Sequence, residues 1–343
     1  MNILKQGKYP YIVRTSFNNG QRGYIEEDIV HLNNGNTISF GQDTATVFYQ
    51  NHPYFTGDKI KVLQAKDNRF DRNNALFFIA TITKAFSDFG WGQSSFCENT
   101  LNQQIIYLPI TEQKNIDFEF IDTFVREIEE EYVNKLKVYL DIFGLSDCNL
   151  TNEEKKIFVK LKDSNIEWRE YKLEDLFEKI TTAKLAYQAK ELPEKSKGEY
   201  TLPCLTSSFR NQGLNYYAPR EGATILKNVI SIPSNSDVYR AYFQSNEFTV
   251  LSDAYAIQWK DKSREISQNQ YLFMVMCINK VTDLPIYSYK NKLGGWNVVK
   301  NKYIQLPTKN GCIDFHFMGT LISAIKKLAI KDVSAYIAEK NTK

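Results

Sequence analysis

The sequence predicts an α+β protein made of two homologous mixed α/β units, each followed by one long helix. Three observations predict it. Residues match each other in a fixed order at an offset near 195, two stretches repeat apolar residues every three or four positions, and short β-branched and aromatic segments fill the rest.

The duplication is visible first at Gly7-Lys-Tyr9-Pro-Tyr-Ile-Val-Arg-Thr15-Ser16, which aligns with Gly198-Glu-Tyr200-Thr-Leu-Pro-Cys-Leu-Thr206-Ser207. Gln50 then matches Gln244, and Phe55-Thr56 matches Phe248-Thr249. Further on, Leu108-Pro109 matches Leu306-Pro307, and Ile116-Asp117-Phe118-Glu-Phe120 matches Ile313-Asp314-Phe315-His-Phe317. The offset drifts only from 191 to 198. A period that long excludes a solenoid, so each copy is expected to be a domain with its own core.

After Pro109, apolar residues recur at Phe120, Ile121, Phe124, Ile128, Tyr132, Leu136, Tyr139, Leu140 and Phe143, which is helical spacing, and Gly144 ends the pattern. About 27 residues make a rod of roughly 40 Å. In the second copy Phe317, Met318, Leu321, Ile322, Ile325, Leu328, Ala329, Val333, Tyr336 and Ile337 repeat it. Two such rods with narrow apolar stripes would satisfy each other as an antiparallel coiled coil. The alternative is that each packs on its own domain.

Thr44–Tyr49, Leu76–Ile82, Ile105–Leu108, Val229–Ile232, Phe248–Leu251 and Tyr303–Leu306 read as strands between Asn, Gly and Asp clusters. Leu173–Ile180 and Tyr271–Ile278 read as helices. Thr151-Asn-Glu-Glu154 is a capping box that opens a charged connector helix.

Composition narrows the class. The 343 residues are 43% hydrophobic and 24% charged, with 22 Phe and 21 Tyr, which excludes disorder as the main state. No apolar run is long enough for a membrane span or a signal peptide, so a soluble, cytoplasmic protein without membrane contact is expected. Cys97, Cys148, Cys204, Cys277 and Cys312 are odd in number and lack a CxxC pair; they read as buried apolar thiols rather than disulfides or zinc ligands. The net charge of +3 is unevenly spread: +1 over residues 1–115, −5 over 116–165, +5 over 166–312 and +2 over 313–343. That is the pattern expected if the globular parts meet a polyanion and the acidic helix does not, and solvated helix faces also produce it.

Catalytic patterns are weak. No two of the nine prolines are adjacent, as a Pro-Pro-Tyr methyltransferase loop requires, and Gly90-Trp91-Gly92 is a poor match to a cofactor turn. Carboxylate-x-lysine triplets such as Glu170-Tyr171-Lys172, those around Lys155, or one at Glu339 arise freely in a chain rich in Glu and Lys. His31, His52 and His316 build no triad and no zinc site, and His316 reads as a surface residue. No catalytic residue, cofactor or metal is expected.

The two junctions, Leu108-Pro109…Ile116-Asp117-Phe118 and Leu306-Pro307…Ile313-Asp314-Phe315, resemble those of the DNA-specificity subunits of type I restriction-modification systems and their type IIB relatives. So does Trp168-Arg-Glu-Tyr-Lys-Leu-Glu-Asp-Leu-Phe177. The resemblance covers nearly the whole chain. It implies target-recognition domains at 1–115 and 166–312, a central helical spacer at 116–165 and a C-terminal spacer helix at 313–343. It implies a non-catalytic subunit that reads a bipartite, gapped site in double-stranded DNA and recruits DNA methyltransferase subunits, with a restriction subunit as a further partner, through its helices. A rod near 40 Å is comparable to one turn of DNA, about 34–36 Å, so rod length would set the gap. The second copy has a lead-in from Ile166 to Lys197, whereas only six residues precede Gly7, so the first domain is expected to lack an opening of about 30 residues.

Base readers are expected in two corresponding loops, at Asn18, Asn19, Gln21 and Arg22 and at Arg210, Asn211 and Gln212, because Asn, Gln and Arg can bond two atoms of a purine edge. Asn and Gly also simply make turns, and both readings stand. Arg220, Lys227, Arg240, Lys290 and Lys292 are the candidate phosphate contacts, against solvated surface. Tyr216 and Tyr217 could pack on sugars or within the core. Two rival functions remain: a restriction-modification enzyme with an unrecognised nuclease or methyltransferase site, and a protein-binding scaffold.

Overall fold

A computed structural model describes residues 6–42, 44–89 and 96–341, and divides the chain into two compact units, Met1–Tyr139 and Leu140–Lys343. The first unit contains β1 (Gln6–Ile12), β2 (Gln21–Ile25), β3 (Thr37–Gly41), β4 (Val47–Gln50), β5 (Phe55–Thr56), β6 (Ile60–Leu63), α1 (Ala75–Ala85), α2 (Glu98–Asn102) and most of α3 (Phe118–Ile142). The second holds α4 (Asn152–Lys162), β7 (Glu167–Lys172), α5 (Leu173–Leu176), β8 (Phe177–Lys179), β9 (Tyr200–Leu205), β10 (Leu214–Pro219), β11 (Val229–Pro233), β12 (Tyr242–Gln244), β13 (Thr249–Val250) and β14 (Ala254–Trp259). It ends with α6 (Gln268–Thr282), α7 (Trp296–Val299), β15 (Tyr303–Lys309), β16 (Cys312–Ile313) and α8 (Phe315–Asn341).

The sequence duplication is also a duplication of topology. One sheet of the first unit has the order β2-β1-β5, with β5 parallel to β1, and one sheet of the second has the order β10-β9-β13, with β13 parallel to β9. A second sheet runs β4-β3-β6 in the first unit and β12-β11-β14-β8 in the other, all antiparallel. The repeated Leu-Pro…Ile-Asp-Phe motif has a local cause. The Pro109 and Pro307 carbonyls accept the amides of Asp117 and Asp314, and those aspartates accept the amides of Phe120 and Phe317 at 3.0 and 2.9 Å. Each long helix therefore begins at an aspartate N-cap fixed to the preceding strand segment.

The first core is aromatic: Phe40 of β3 meets Phe86 and Phe96, and Phe86 stacks on Phe89 with centroids 4.9 Å apart. The second joins Ile230, Ile232 and Ile257 of the sheet to Met274 and Ile278 of α6 and Met318 and Ile322 of α8. The capping box at Thr151 and Glu154 is present, and it does more than cap. Glu154 is only 3% exposed and also accepts the Ser323 hydroxyl at 2.8 Å and the Lys327 ammonium at 3.0 Å, fastening α4 to α8.

Several expectations need correction. Leu76–Ile82 lies within α1 and is no strand. Its Phe and Ile residues favour strands locally, but Ala75, Ile82 and Phe86 recur at helical spacing on the buried side, and packing overrides propensity. Leu173–Ile180 is helical for only one turn, because Phe177–Lys179 extends to pair with β14. Ile105–Leu108 forms no strand, with only an Ile110–Ile116 bridge beyond it. Thr44–Tyr49 is extended only from Val47, and of Phe248–Leu251 only Thr249–Val250 is strand. Of the five cysteines only Cys204 and Cys277 are buried; Cys97 and Cys312 are exposed and Cys148 is half-buried. Gly90-Trp91-Gly92 lies outside the described residues.

Candidate nucleic-acid interface

Each β1–β2 or β9–β10 connection must reverse within a few residues, and both do so with the same unusual backbone. Asn18, Asn19 and Gly20 have φ of +48°, +53° and +78°; Asn211, Gln212 and Gly213 have +46°, +55° and +86°. Such values favour Gly and Asn, and at Gly20 an added Cβ would press on Ile12 and Phe48 at 3.2 Å.

The hydrogen bonds that hold the two turns also correspond. In the first unit the Gln50 amide donates to the Asn19 carbonyl at 3.2 Å and to the Ser39 hydroxyl at 2.9 Å. In the second, the Gln244 amide donates to the Gln212 carbonyl at 3.1 Å and to the Ser231 hydroxyl at 3.0 Å. Asn18 donates to the Gln21 carbonyl and Asn211 to the Leu214 carbonyl, at 3.2 and 2.7 Å. Asn19 donates to the Tyr49 carbonyl at 2.9 Å, and the Tyr242 hydroxyl donates to the Phe209 carbonyl at 3.0 Å.

The amides of Asn18, Asn19 and Asn211 are thus engaged in building the turns. Arg22, Arg210 and Gln212 are exposed on the same elements and Gln21 is half-buried, so these four have the side chains placed to meet a base edge. A feature that residue-type reasoning passed over stands beside them. Phe17 is 79% exposed and Phe209 is 48% exposed, at the same place in each turn. The repeated Ser16-Phe17 and Ser208-Phe209 pairs were the available signal.

The remaining cations fall into two groups. Arg240 sits in the β11–β12 connection and donates to Asp283 at 2.7 Å, which holds its guanidinium pKa above the ordinary value. Asp237 of the same connection accepts the Tyr289 amide at 2.7 Å, which draws the Lys290 and Lys292 loop to that end of the sheet, and Lys292 lies 4.5 Å from the Tyr289 ring centroid. Arg220 and Lys227 lie between β10 and β11, at the other end of β11, and Arg220 is paired with Glu247 at 2.9 Å. Lys227 borders a hollow with Asp261, Lys262, Arg264 and Glu265, a surface of mixed sign. Tyr216 packs against the cluster of Leu192, Cys204 and Ala218, and Tyr217 is half-buried. His316 is exposed and faces Glu153 at 3.4 Å. Among the described residues no group of three His, Cys, Asp or Glu side chains could hold a metal ion, and no helix is long and apolar enough to cross a membrane.

Comparison with known proteins assigns this duplicated arrangement. The profile of the type I restriction modification DNA specificity domain matches residues 2–138 and again 165–333. The chain belongs to this family. It is 23% identical over 312 residues to the specificity subunit S.BcgI of a type II restriction enzyme from Heyndrickxia coagulans, covering 90% of this chain and 83% of that one. The fold also resembles the crystal structure of the type I restriction-modification S subunit from M. genitalium, with a TM-score of 0.53 and 15% identity over 99% of this chain and 87% of that one. This chain is a DNA-specificity subunit of a restriction-modification system, a recognition component and not an enzyme.

Proposed function

We propose that the two units each read one half of a bipartite, gapped DNA site, acting in the cytoplasm, and that α3 and α8 pair as an antiparallel coiled coil which spaces the half-sites and docks the methyltransferase subunits. The observation that carries this reading is the matched pair of turns. The same backbone, held by the same Gln–Ser device, presents Gln21 and Arg22 in one unit and Arg210 and Gln212 in the other. A fixed support with different readers is what two unlike half-sites require. Lys290 and Lys292 serve as phosphate contacts, with Arg220, Lys227 and Arg240 as secondary ones, since Arg220 and Arg240 already hold carboxylates.

The test is to co-express the chain with the methyltransferase encoded beside its gene and map methylated bases by single-molecule sequencing. A gapped two-part motif, in which one part changes on Arg22→Ala and the other on Arg210→Ala, supports the proposal. A motif with one specified half refutes the two-unit reading, and methylation independent of this chain refutes it altogether. Shortening α3 and α8 each by one turn should change the gap and leave both halves intact.

A further inference from the structure

The two units share topology, yet one element of the second has no counterpart among the described residues of the first. In the second unit, β7, α5 and β8 form a continuous strand–turn–strand segment. β7 pairs with β15 across six residue pairs, β8 pairs with the outer edge of β14, and Leu173, Leu176 and Phe177 of the turn are buried. Trp168 of β7 stacks on Phe273 of α6 at 6.4 Å, and Phe273 is buried.

The same surfaces in the first unit are uncovered. Leu108-Pro109 corresponds to Leu306-Pro307, so Ile106 and Leu108 occupy the places of Ile304 and Leu306. Those two are 1% and 0% exposed in β15, whereas Ile106 and Leu108 are half-buried and flanked by Ile105 and Tyr107 at 70% and 85% exposure. No strand pairs with Gln104–Leu108. The outer edge of β6 is likewise unpaired, and Leu63, in the position of the fully buried Ile257, is 41% exposed. Leu76-Phe77…Lys84 of α1 aligns with Leu272-Phe273…Lys280 of α6, so Phe77 corresponds to the residue under Trp168. Phe77 lines an apolar groove of about 310 Å³ with Leu76, Ala80, Phe124 and Ile128.

We propose that this seam is a docking site for a strand–turn–strand segment carried by a second polypeptide. The occupant follows from the chain's own second unit. Its first strand carries an aromatic residue that lies over Phe77, its turn has a Leu-x-x-Leu-Phe pattern that fills the gap between the strands, and its last strand adds to β6. Strand addition of this kind draws affinity from main-chain hydrogen bonds and specificity from side-chain pockets. A second copy of this chain is the poorer occupant, because lending Glu167–Lys179 would expose Leu173, Leu176 and Phe177 of its own core. The seam lies on sheet edges and a helix groove, away from the base-reading turns, so this proposal stands apart from the DNA-reading one.

The test titrates a labelled peptide with the sequence of residues 165–181 into the full-length chain and follows binding by fluorescence anisotropy and amide hydrogen exchange. Saturable one-to-one binding is expected, with new protection at Ile60–Leu63 and Gln104–Leu108. Leu76→Asp, at a half-exposed position that leaves the core intact, and Trp168→Ala in the peptide should each weaken binding roughly tenfold or more. Absence of saturable binding, protection in the second unit instead, indifference to both substitutions, or concentration-dependent dimers of the chain alone that protect the same segments would each overturn the proposal.

Discussion

Gln244 donates to the Ser231 hydroxyl at 3.0 Å with both side chains buried, and the same amide reaches the Gln212 carbonyl. One strand residue thereby holds the sheet and the turn together. Gln244→Leu would strand a buried hydroxyl and a carbonyl, at a cost of about 1–3 kcal/mol. Gln50→Leu should behave alike in the first unit through Ser39 and Asn19. Urea unfolding read separately on each unit, with hydrogen exchange at the two turns, checks both; stability unchanged in either variant contradicts the shared device.

Glu154 is the buried link between α4 and α8. Burial alone would raise its pKa, but the Thr151 amide, the Lys327 ammonium and the Ser323 hydroxyl together hold it below the ordinary carboxylate value. A depressed pKa means that the unfolded chain takes up the proton first on acidification. The stabilisation is complete above the ordinary glutamate range and is lost as pH falls through the lower folded value. Glu154→Gln should flatten this acid-side loss, and Glu154→Ala, which leaves Lys327 unpaired, should cost about 3 kcal/mol at neutral pH. Urea midpoints measured across the acid range give the comparison.

Thiol labelling should follow burial. Burial pushes Cys204 up to about 12 and Cys277 to about 11, while the hydrogen bond with Thr100 lowers the exposed Cys97. Brief alkylation of the native protein followed by mass spectrometry should find Cys97 and Cys312 modified and Cys204 and Cys277 untouched until the chain unfolds.

On the DNA-reading proposal, the cations divide by kind of effect. Lys290→Gln and Lys292→Gln should weaken binding to every duplex and lower the salt slope by about one per lost contact. Arg210→Ala should instead relax preference at one position of the site. Affinities of the methyltransferase complex for matched and mismatched duplexes over a salt series separate these outcomes.

Phe17→Ala and Phe209→Ala remove large exposed side chains, and stability should shift by less than about 0.5 kcal/mol. If the two rings wedge against or between bases, DNA affinity should fall for both variants while folding is untouched. Equal affinity for wild type and both variants rules that role out.

The long helices, their aspartate starts and the duplication were legible because each rests on local periodicity or on a motif repeated within the chain. Leu76–Ile82 was misread because its Phe and Ile residues suit a strand, and only the aromatic core around Phe40 and Phe86 decides for a helix. Phe177 turning out of a predicted helix depends on the edge of β14, which is distant in sequence. In the candidate site, residue types pointed to the correct turns. They could not show that Asn18, Asn19 and Asn211 are bound to main-chain carbonyls, because that depends on the positive-φ backbone.

The support of the reading turn has an evolutionary consequence. Gln244 grips the Gln212 carbonyl and Tyr242 the Phe209 carbonyl, so the framework recognises main chain at those positions and is indifferent to the side chains mounted on it. Mutations at 209, 210 and 212 can therefore accumulate without relocating the loop, as can those at 17, 21 and 22 in the other unit. A lineage built on this scaffold can drift from one target sequence to another while its folding is left alone.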